Sequence, residues 1–242
     1  MIVLVTRPEP DNRATASRLR GFGHEALLAP MLRFEPALFE SVAADAFSGA
    51  IVTSANALRA VAGHPSLTKL KLFAVGERTA SVARANGFEN VEAAGGNAEA
   101  LRALVVARWK ATPGKAPLLY LAGEDLSADL GTLSSQDSIP VVTKTVYRMV
   151  AKEEFPSDVE AALRGGLVAA VLHYSRRSAS AFVAAARRGG IEARALAPHQ
   201  VCMSEGVAEG LRAAGAEGVA AAVTPDEDAV FATLRRLVPS PS

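Results

Sequence analysis

With 242 residues, 50% hydrophobic and 21% charged, the chain can bury a substantial core, as one large domain or as two of about 100–150 residues. Its 26 basic and 25 acidic residues leave a formal net charge of +1, which argues against bulk attraction to nucleic acid or an anionic membrane. Cys202 is the sole cysteine, so an intrachain disulfide is excluded and nothing calls for an oxidising compartment.

In chain order, Ile2–Val5 reads as a first strand. Its apolar run is short and meets Arg7 and Pro8, unlike a secretion signal. A helix follows around Asn12–Gly21, with Asp11 or Asn12 placed to cap its start and Gly21 or Gly23 to end it. Ala26–Phe39 then carries Pro30 and Pro36 around an extended run, Met31–Phe34. Ala50–Val52 is a strand that Thr53-Ser54 turns into a helix reaching about Ala62. Leu72–Val75 leads through Gly76-Glu77-Arg78 into a helix begun near Thr79 and closed at Asn86-Gly87. Asn97 is placed to start the next helix, which runs to about Trp109. Leu118–Leu121 precedes Ala122-Gly123-Glu124-Asp125, and Ile139–Val150, rich in Val and Thr, is a long strand signal. Val168–His173 runs into Tyr174-Ser175-Arg176-Arg177, and Val201–Met203 into Ser204-Glu205-Gly206. Ala220–Val223 runs into Thr224-Pro225-Asp226, where Asp226 can cap a last helix, Ala229–Leu237.

Strand–turn–helix alternation predicts an α/β fold with parallel sheets covered by helices on both faces. Three such cassettes lie between the two long extended stretches and four lie outside them. That nesting predicts a discontinuous domain from residues 1–33 and 152–242, with a second domain, 38–140, inserted into it. Residues 31–38 and 141–151 would cross side by side as a two-stranded connector. No stretch approaches the roughly 20 apolar residues of a membrane span, so a soluble, cytoplasmic protein is expected.

The familiar phosphate-cradling motifs are missing: no G-x-G-x-x-G follows a strand, and no G-x-x-x-x-G-K-[ST] occurs. The four histidines lie far apart and no G-x-S-x-G elbow exists, so neither a structural zinc site nor a serine triad is indicated. What remains is a set of helix N-termini at the carboxyl ends of strands, where ligands of open parallel sheets bind. Each offers unpaired N–H groups and the positive end of a helix dipole, which favour anions. Thr53, Ser54, Thr79, Ser175 and Ser178 bring hydroxyls to these turns, while Arg7, Arg78, Arg176 and Arg177 bring charge. Several weak anion sites facing one inter-domain cleft suit a polycarboxylate ligand. A plainer reading stands beside each. The hydroxyls can simply cap helices, the arginines can be solvated or ion-paired, and His173 can pack or cap. Cys202 reads as a small buried hydrophobe, and Tyr147 as a strand residue with its hydroxyl bonded in a core.

Several motifs, in order and spacing, resemble the uroporphyrinogen-III synthase family. They are Val3-Leu-Val-Thr-Arg-Pro8, Ile51-Val-Thr-Ser-Ala-Asn-Ala57, Phe73-Ala-Val-Gly-Glu-Arg-Thr-Ala80 and Gly96-Asn-Ala-Glu-Ala-Leu101 in the first half. Leu119-Tyr-Leu-Ala-Gly123, Val146-Tyr147, Leu172-His-Tyr-Ser-Arg-Arg-Ser178 and Thr224-Pro225 complete the set, which spans essentially the whole chain. Each motif is short; their collinear order is the specific signal. The resemblance implies a cofactor-independent, metal-free lyase acting on hydroxymethylbilane, a linear tetrapyrrole bearing acetates and propionates. The family expels the terminal hydroxyl as water, closes the ring and inverts the last pyrrole. Catalysis would then consist largely of folding the substrate so that the correct carbon attacks. Tyr147 matches the family's candidate for assisting departure of the hydroxyl. Arg7, Thr53, Ser54, Asn56, Gly76, Arg78, Thr79, Gly123, Ser175 and Arg176 match positions implied to line the substrate site. Arg176 stands where many members have proline, and Met203-Ser-Glu-Gly206 is a loose match. A monomer is expected because no amphipathic segment is left without an intramolecular role, and the charge balance and short apolar runs predict no nucleic-acid or membrane partner. A transient contact with hydroxymethylbilane synthase, which supplies the substrate, is a further expectation. Competing readings are a non-catalytic two-lobed binding protein, a nucleotide-sugar transferase and a regulatory protein on a synthase-like fold.

Overall fold

Short β-branched runs and Ala-rich segments alternate along the chain, and in the computed structural model they form strands and helices in that order. All residues are described except 41, 113, 127–129, 131, 132, 134 and 240–242. The chain divides into two compact units, one of Met1–Arg33 with Val150–Ser242, the other of Phe34–Met149.

In the first unit, β1 (Ile2–Val5), β2 (Glu25–Leu28), β9 (Val168–His173), β10 (His199–Cys202) and β11 (Val219–Ala221) form one sheet. Their order is β11-β10-β9-β1-β2, and every neighbouring pair is parallel. Val3, Leu4 and Val5 have no exposed surface, as expected of a strand covered on both faces. The covering helices are α1 (Asp11–Gly21), α5 (Ser157–Arg164), α6 (Arg176–Arg188), α7 (Glu192–Leu196), α8 (Glu205–Ala213) and α9 (Glu227–Leu237).

The second unit contains β4 (Gly49–Val52), β5 (Leu72–Ala74), β6 (Val91–Ala93) and β7 (Leu118–Gly123), with helices α2 (Ala55–Ala60), α3 (Glu77–Ala85) and α4 (Ala98–Ala111). Two further strands, β3 (Leu32–Pro36) and β8 (Val141–Ala151), complete a six-stranded sheet of order β3-β8-β7-β4-β5-β6. β8 is parallel to β7, with Gly123 opposite Tyr147. β3 runs antiparallel to β8: Ala37 donates to Val146 O and Lys152 donates to Met31 O, so the partner number falls as the residue number rises.

Several helix ends follow the sequence reading. Asn97 and Asp226 accept bonds from the backbone N–H groups of Ala100 and Ala229, and Gly87 takes the left-handed conformation. The start of α1 does not. Pro10 precedes the helix and no side chain caps it. Asp11 is instead drawn to Arg7, and the buried Asn12 amide has no hydrogen-bond partner among the described residues. α3 also begins earlier than expected, with Gly76 as its N-cap, which places Thr79 inside the helix and buries it. α2 stops at Ala60 and β11 at Ala221, both short of the predicted ends. Strands β2 and β6 and the short helix α7 were not separately foreseen.

Candidate functional site

At the carboxyl end of the second unit's sheet, three neighbouring strands bring one aromatic residue into a slot. Tyr147, on β8, stacks on Phe34 of β3 with ring centroids 5.8 Å apart and an interplanar angle of 24°. On the β7 side stands Gly123. A Cβ built there would lie 2.7 Å from Tyr147 Cζ and 2.9 Å from its hydroxyl oxygen, so only glycine leaves the phenol its room. Tyr147 is 7% exposed, and no hydrogen bond joins its hydroxyl to a described residue. The expectation of a core-bonded hydroxyl therefore fails: the ring is packed while its polar tip has no partner among the described residues. That is the arrangement of a group available to a ligand.

The other second-unit candidates gather at adjacent turns. Ser54 caps α2, its hydroxyl accepting from the Asn56 N–H at 3.2 Å. Thr53 does not cap; its hydroxyl pairs with that of Tyr120 at 3.0 Å. Tyr120 is nearly fully buried. Asn56 donates from its side-chain nitrogen towards Met149 Sδ at 3.7 Å, tying α2 to β8. Gly76 follows β5 and almost touches the turn after β6: a Cβ at Gly76 would meet Gly96 Cα at 3.1 Å. Gly96 itself has φ +94° and donates to Val75 O at 2.8 Å, so glycine at both positions lets the two turns pack backbone to backbone. Arg78 is exposed in the first turn of α3.

In the first unit, Ser175 caps α6, accepting from Ser178 N–H at 3.1 Å and donating to the Ser178 hydroxyl at 3.0 Å. Arg176 is exposed and lies over Gly206, where an added Cβ would come within 2.7 Å of its Nη2. It borders a groove of about 660 Å³ between α6 and α8. Arg7 is placed differently from the other candidates. Its guanidinium donates to Asp11, Glu227 and Thr15 at 3.0, 2.9 and 3.1 Å, and it stacks over Tyr174. Burial tends to raise the Glu227 pKa, but the Thr15 hydrogen bond and the Arg7 and Arg18 charges outweigh it and hold the carboxyl below its ordinary value. Burial and the nearby Glu227 carboxylate push the Tyr174 phenol far up, so it stays neutral. Arg7 is thus committed to protein carboxylates.

Two buried groups close the inventory. Burial raises the Cys202 thiol to about 12, leaving it an inert hydrophobe. His173 is fully buried and its ring nitrogen Nε2 lies 2.9 Å from Gln200 Oε1. Gln200 spends its amide N–H groups on the carbonyls of Ala195 and Pro198, at 3.0 and 2.9 Å. Oε1 must therefore accept, which fixes His173 as the Nε2–H tautomer. Among the described residues no group of His, Cys, Asp and Glu is arranged to hold a metal ion, and no helix is long and apolar enough to cross a membrane.

Neither the Phe34 slot nor the Thr53–Tyr120 pair was read from sequence. The aromatic at 34 sat in a stretch recognised as extended, but its partner depends on the antiparallel register with β8.

Known proteins share this architecture. The family model described as uroporphyrinogen-III synthase HemD matches residues 13–232. A crystal structure of uroporphyrinogen-III synthetase from Helicobacter pylori 26695 is 18% identical, covers 97% of this chain and 98% of its own, and superposes with a TM-score of 0.67. A mutant uroporphyrinogen III synthase from the extremely thermophilic bacterium Thermus thermophilus is 16% identical, with 98% of each chain covered and a TM-score of 0.54. At such identities these two structures speak to the fold. No curated protein sequence matches the chain.

Proposed function

The chain belongs to the uroporphyrinogen-III synthase family, and we propose that it is a lyase closing hydroxymethylbilane to uroporphyrinogen III with loss of water. The match of the family model across residues 13–232 carries this reading. The strand-end turns support it, because the backbone N–H groups around Thr53, Ser54, Gly76 and Ser175 suit a substrate rich in carboxylates.

In the proposed reaction the carbon–oxygen bond of the terminal hydroxymethyl group breaks with both electrons leaving on oxygen. The electron-rich pyrrole supports the cation that remains, so only modest acid help is required. Tyr147 is the group we assign to that help, its phenol hydrogen-bonding the departing hydroxide. The methylene carbon of that cation bonds to the substituted carbon of the last pyrrole. That carbon's bond to its old bridge then breaks and the bridge re-forms at the ring's free carbon, whose proton is lost so that hydroxide leaves as water and the ring is inverted. Holding this geometry is the main task of the protein. Arg78, Thr79, Asn56 and Arg176 are proposed to help shape the site around the substrate, and Gly123 to admit the Tyr147 ring. Arg7 is proposed to act one step removed, by fixing the turn after β1 through Glu227 and Tyr174. Work as a cytoplasmic monomer, with transient access to hydroxymethylbilane synthase, belongs to the same proposal.

The deciding experiment generates hydroxymethylbilane in the presence of the protein, oxidises the products and separates isomers. Predominant type III is expected; type I alone, the product of spontaneous closure, would end the synthase reading. Within that assay Thr53→Ala should lose no more than about fivefold in rate. The threonine hydroxyl pairs with that of Tyr120, and one lost neutral hydrogen bond is worth about 1 kcal/mol. Complete loss of activity in folded Thr53→Ala would instead place that hydroxyl on the substrate.

A further inference from the structure

Within the second unit, Arg84, Arg102, Arg108 and Arg148 each meet a carboxylate. Arg59 does not. It sits in the last turn of α2, exposed, and forms no hydrogen bond or ion pair with a described residue. Its guanidinium carbon lies 4.4 Å from the centre of the Phe34 ring. That is the ring on which Tyr147 stacks.

This placement has a definite origin. The antiparallel register of β3 and β8 puts Phe34 diagonally across from Tyr147. α2 is tied to the end of β8 by Asn56 and Met149, and Arg59 lies one helical turn beyond Asn56. The side chain is thereby laid across the outer ring of a pair whose other member is the candidate acid. A guanidinium held over an aromatic ring keeps its attraction through the ring face and leaves its N–H groups to other acceptors. Its planar fork matches a carboxylate in two parallel charge-assisted hydrogen bonds. A pre-positioned fork and a phenol, neither bonded to a described residue, are what a substrate bearing carboxylates around its rim would require.

We propose that Arg59 is a carboxylate anchor of the substrate site, receiving an acetate or propionate group of the tetrapyrrole beside Tyr147. The proposal rests on the synthase reading for the identity of the ligand, while its test does not depend on turnover. Arg59→Met keeps much of the stem and its packing on Phe34 but removes the charge and the fork; Arg59→Lys keeps the charge alone. Binding of uroporphyrin III, the stable octacarboxylate obtained by oxidising the product, is measured by equilibrium dialysis for the wild type and both variants. Arg59→Met is expected to bind at least about tenfold more weakly, Arg59→Lys to fall between, and the wild-type affinity to depend more steeply on salt than that of Arg59→Met. In the isomer assay the KM of Arg59→Met should rise by a similar factor with kcat nearly unchanged. A purely packing role would instead lower the melting temperature and leave salt dependence alone. Equal binding by wild type and Arg59→Met, including no binding by either, overturns the proposal. A wild type that binds uroporphyrin III through Arg59 yet yields only type I would remove the synthase reading and leave the anchor standing.

Discussion

Tyr147→Phe is expected to slow formation of the type III isomer about tenfold or more while leaving the melting temperature unchanged. The two halves of that expectation come from one observation: the Tyr147 hydroxyl has no hydrogen bond to a described residue, although its ring is packed. Removing an oxygen that bonds no described residue orphans no partner among them and so costs the fold little. If the rate is unchanged, Tyr147 is a packing residue only. Gly123→Ala provides a second approach to the same group. The new methyl would lie closer to Tyr147 Cζ and the hydroxyl than carbon atoms tolerate, and Phe34 bounds the ring on the next strand. The phenol must shift, and a rate loss comparable to that of Tyr147→Phe is expected. The double variant should then lose hardly more than either single one, because both changes remove the same interaction. Losses that multiply would mean that Gly123 contributes separately, through its backbone on the substrate.

What the sequence disclosed and what it concealed differ in kind. Parallel sheets were legible because buried strands are written as short Val, Leu and Ile runs followed by small polar turns. Caps at Asn97 and Asp226 were legible because a cap bonds a neighbour only three residues away. The start of α1 was misread for the opposite reason. Asp11 had the composition of a cap, yet Arg7 competes for its carboxylate, and Arg7 is itself held by Glu227 from the far end of the chain. Thr79 looked like a turn hydroxyl until Gly76 proved to start the helix. The Tyr147 slot was half legible. Tyr147 could be named from a resemblance, but its stacking on Phe34 and the room left by Gly123 arise from strand register, which no local pattern encodes.

A buried histidine makes the stability of the first unit depend on acid. His173 keeps no exposed surface, packs against the Phe182 ring, and meets only the neutral Gln200 and Thr6 among the described hydrogen-bonding groups. Burial lowers its pKa from 6.5 to about 4, and the bond to Gln200 offsets only part of this. Above pH 6.5 the histidine is neutral in both folded and unfolded chains and exerts no pH dependence. Between 6.5 and 4 the unfolded chain takes up a proton that the folded chain refuses, so stability falls with pH; below 4 both states are protonated and the loss is complete. The full span amounts to ~3 kcal/mol. Burial and the nearby N-terminal amino group lower the His24 pKa as well, which acts in the same direction. Urea unfolding followed from pH 8 to pH 4 should show a plateau and then this decline. His173→Gln, which retains a donor towards Gln200, should be less stable at pH 8 but lose distinctly less on acidification. An unaltered acid slope in that variant would assign the decline to other groups, and would mean that His173 accepts its proton inside the folded protein, with Thr6 or Gln200 turning to accommodate it.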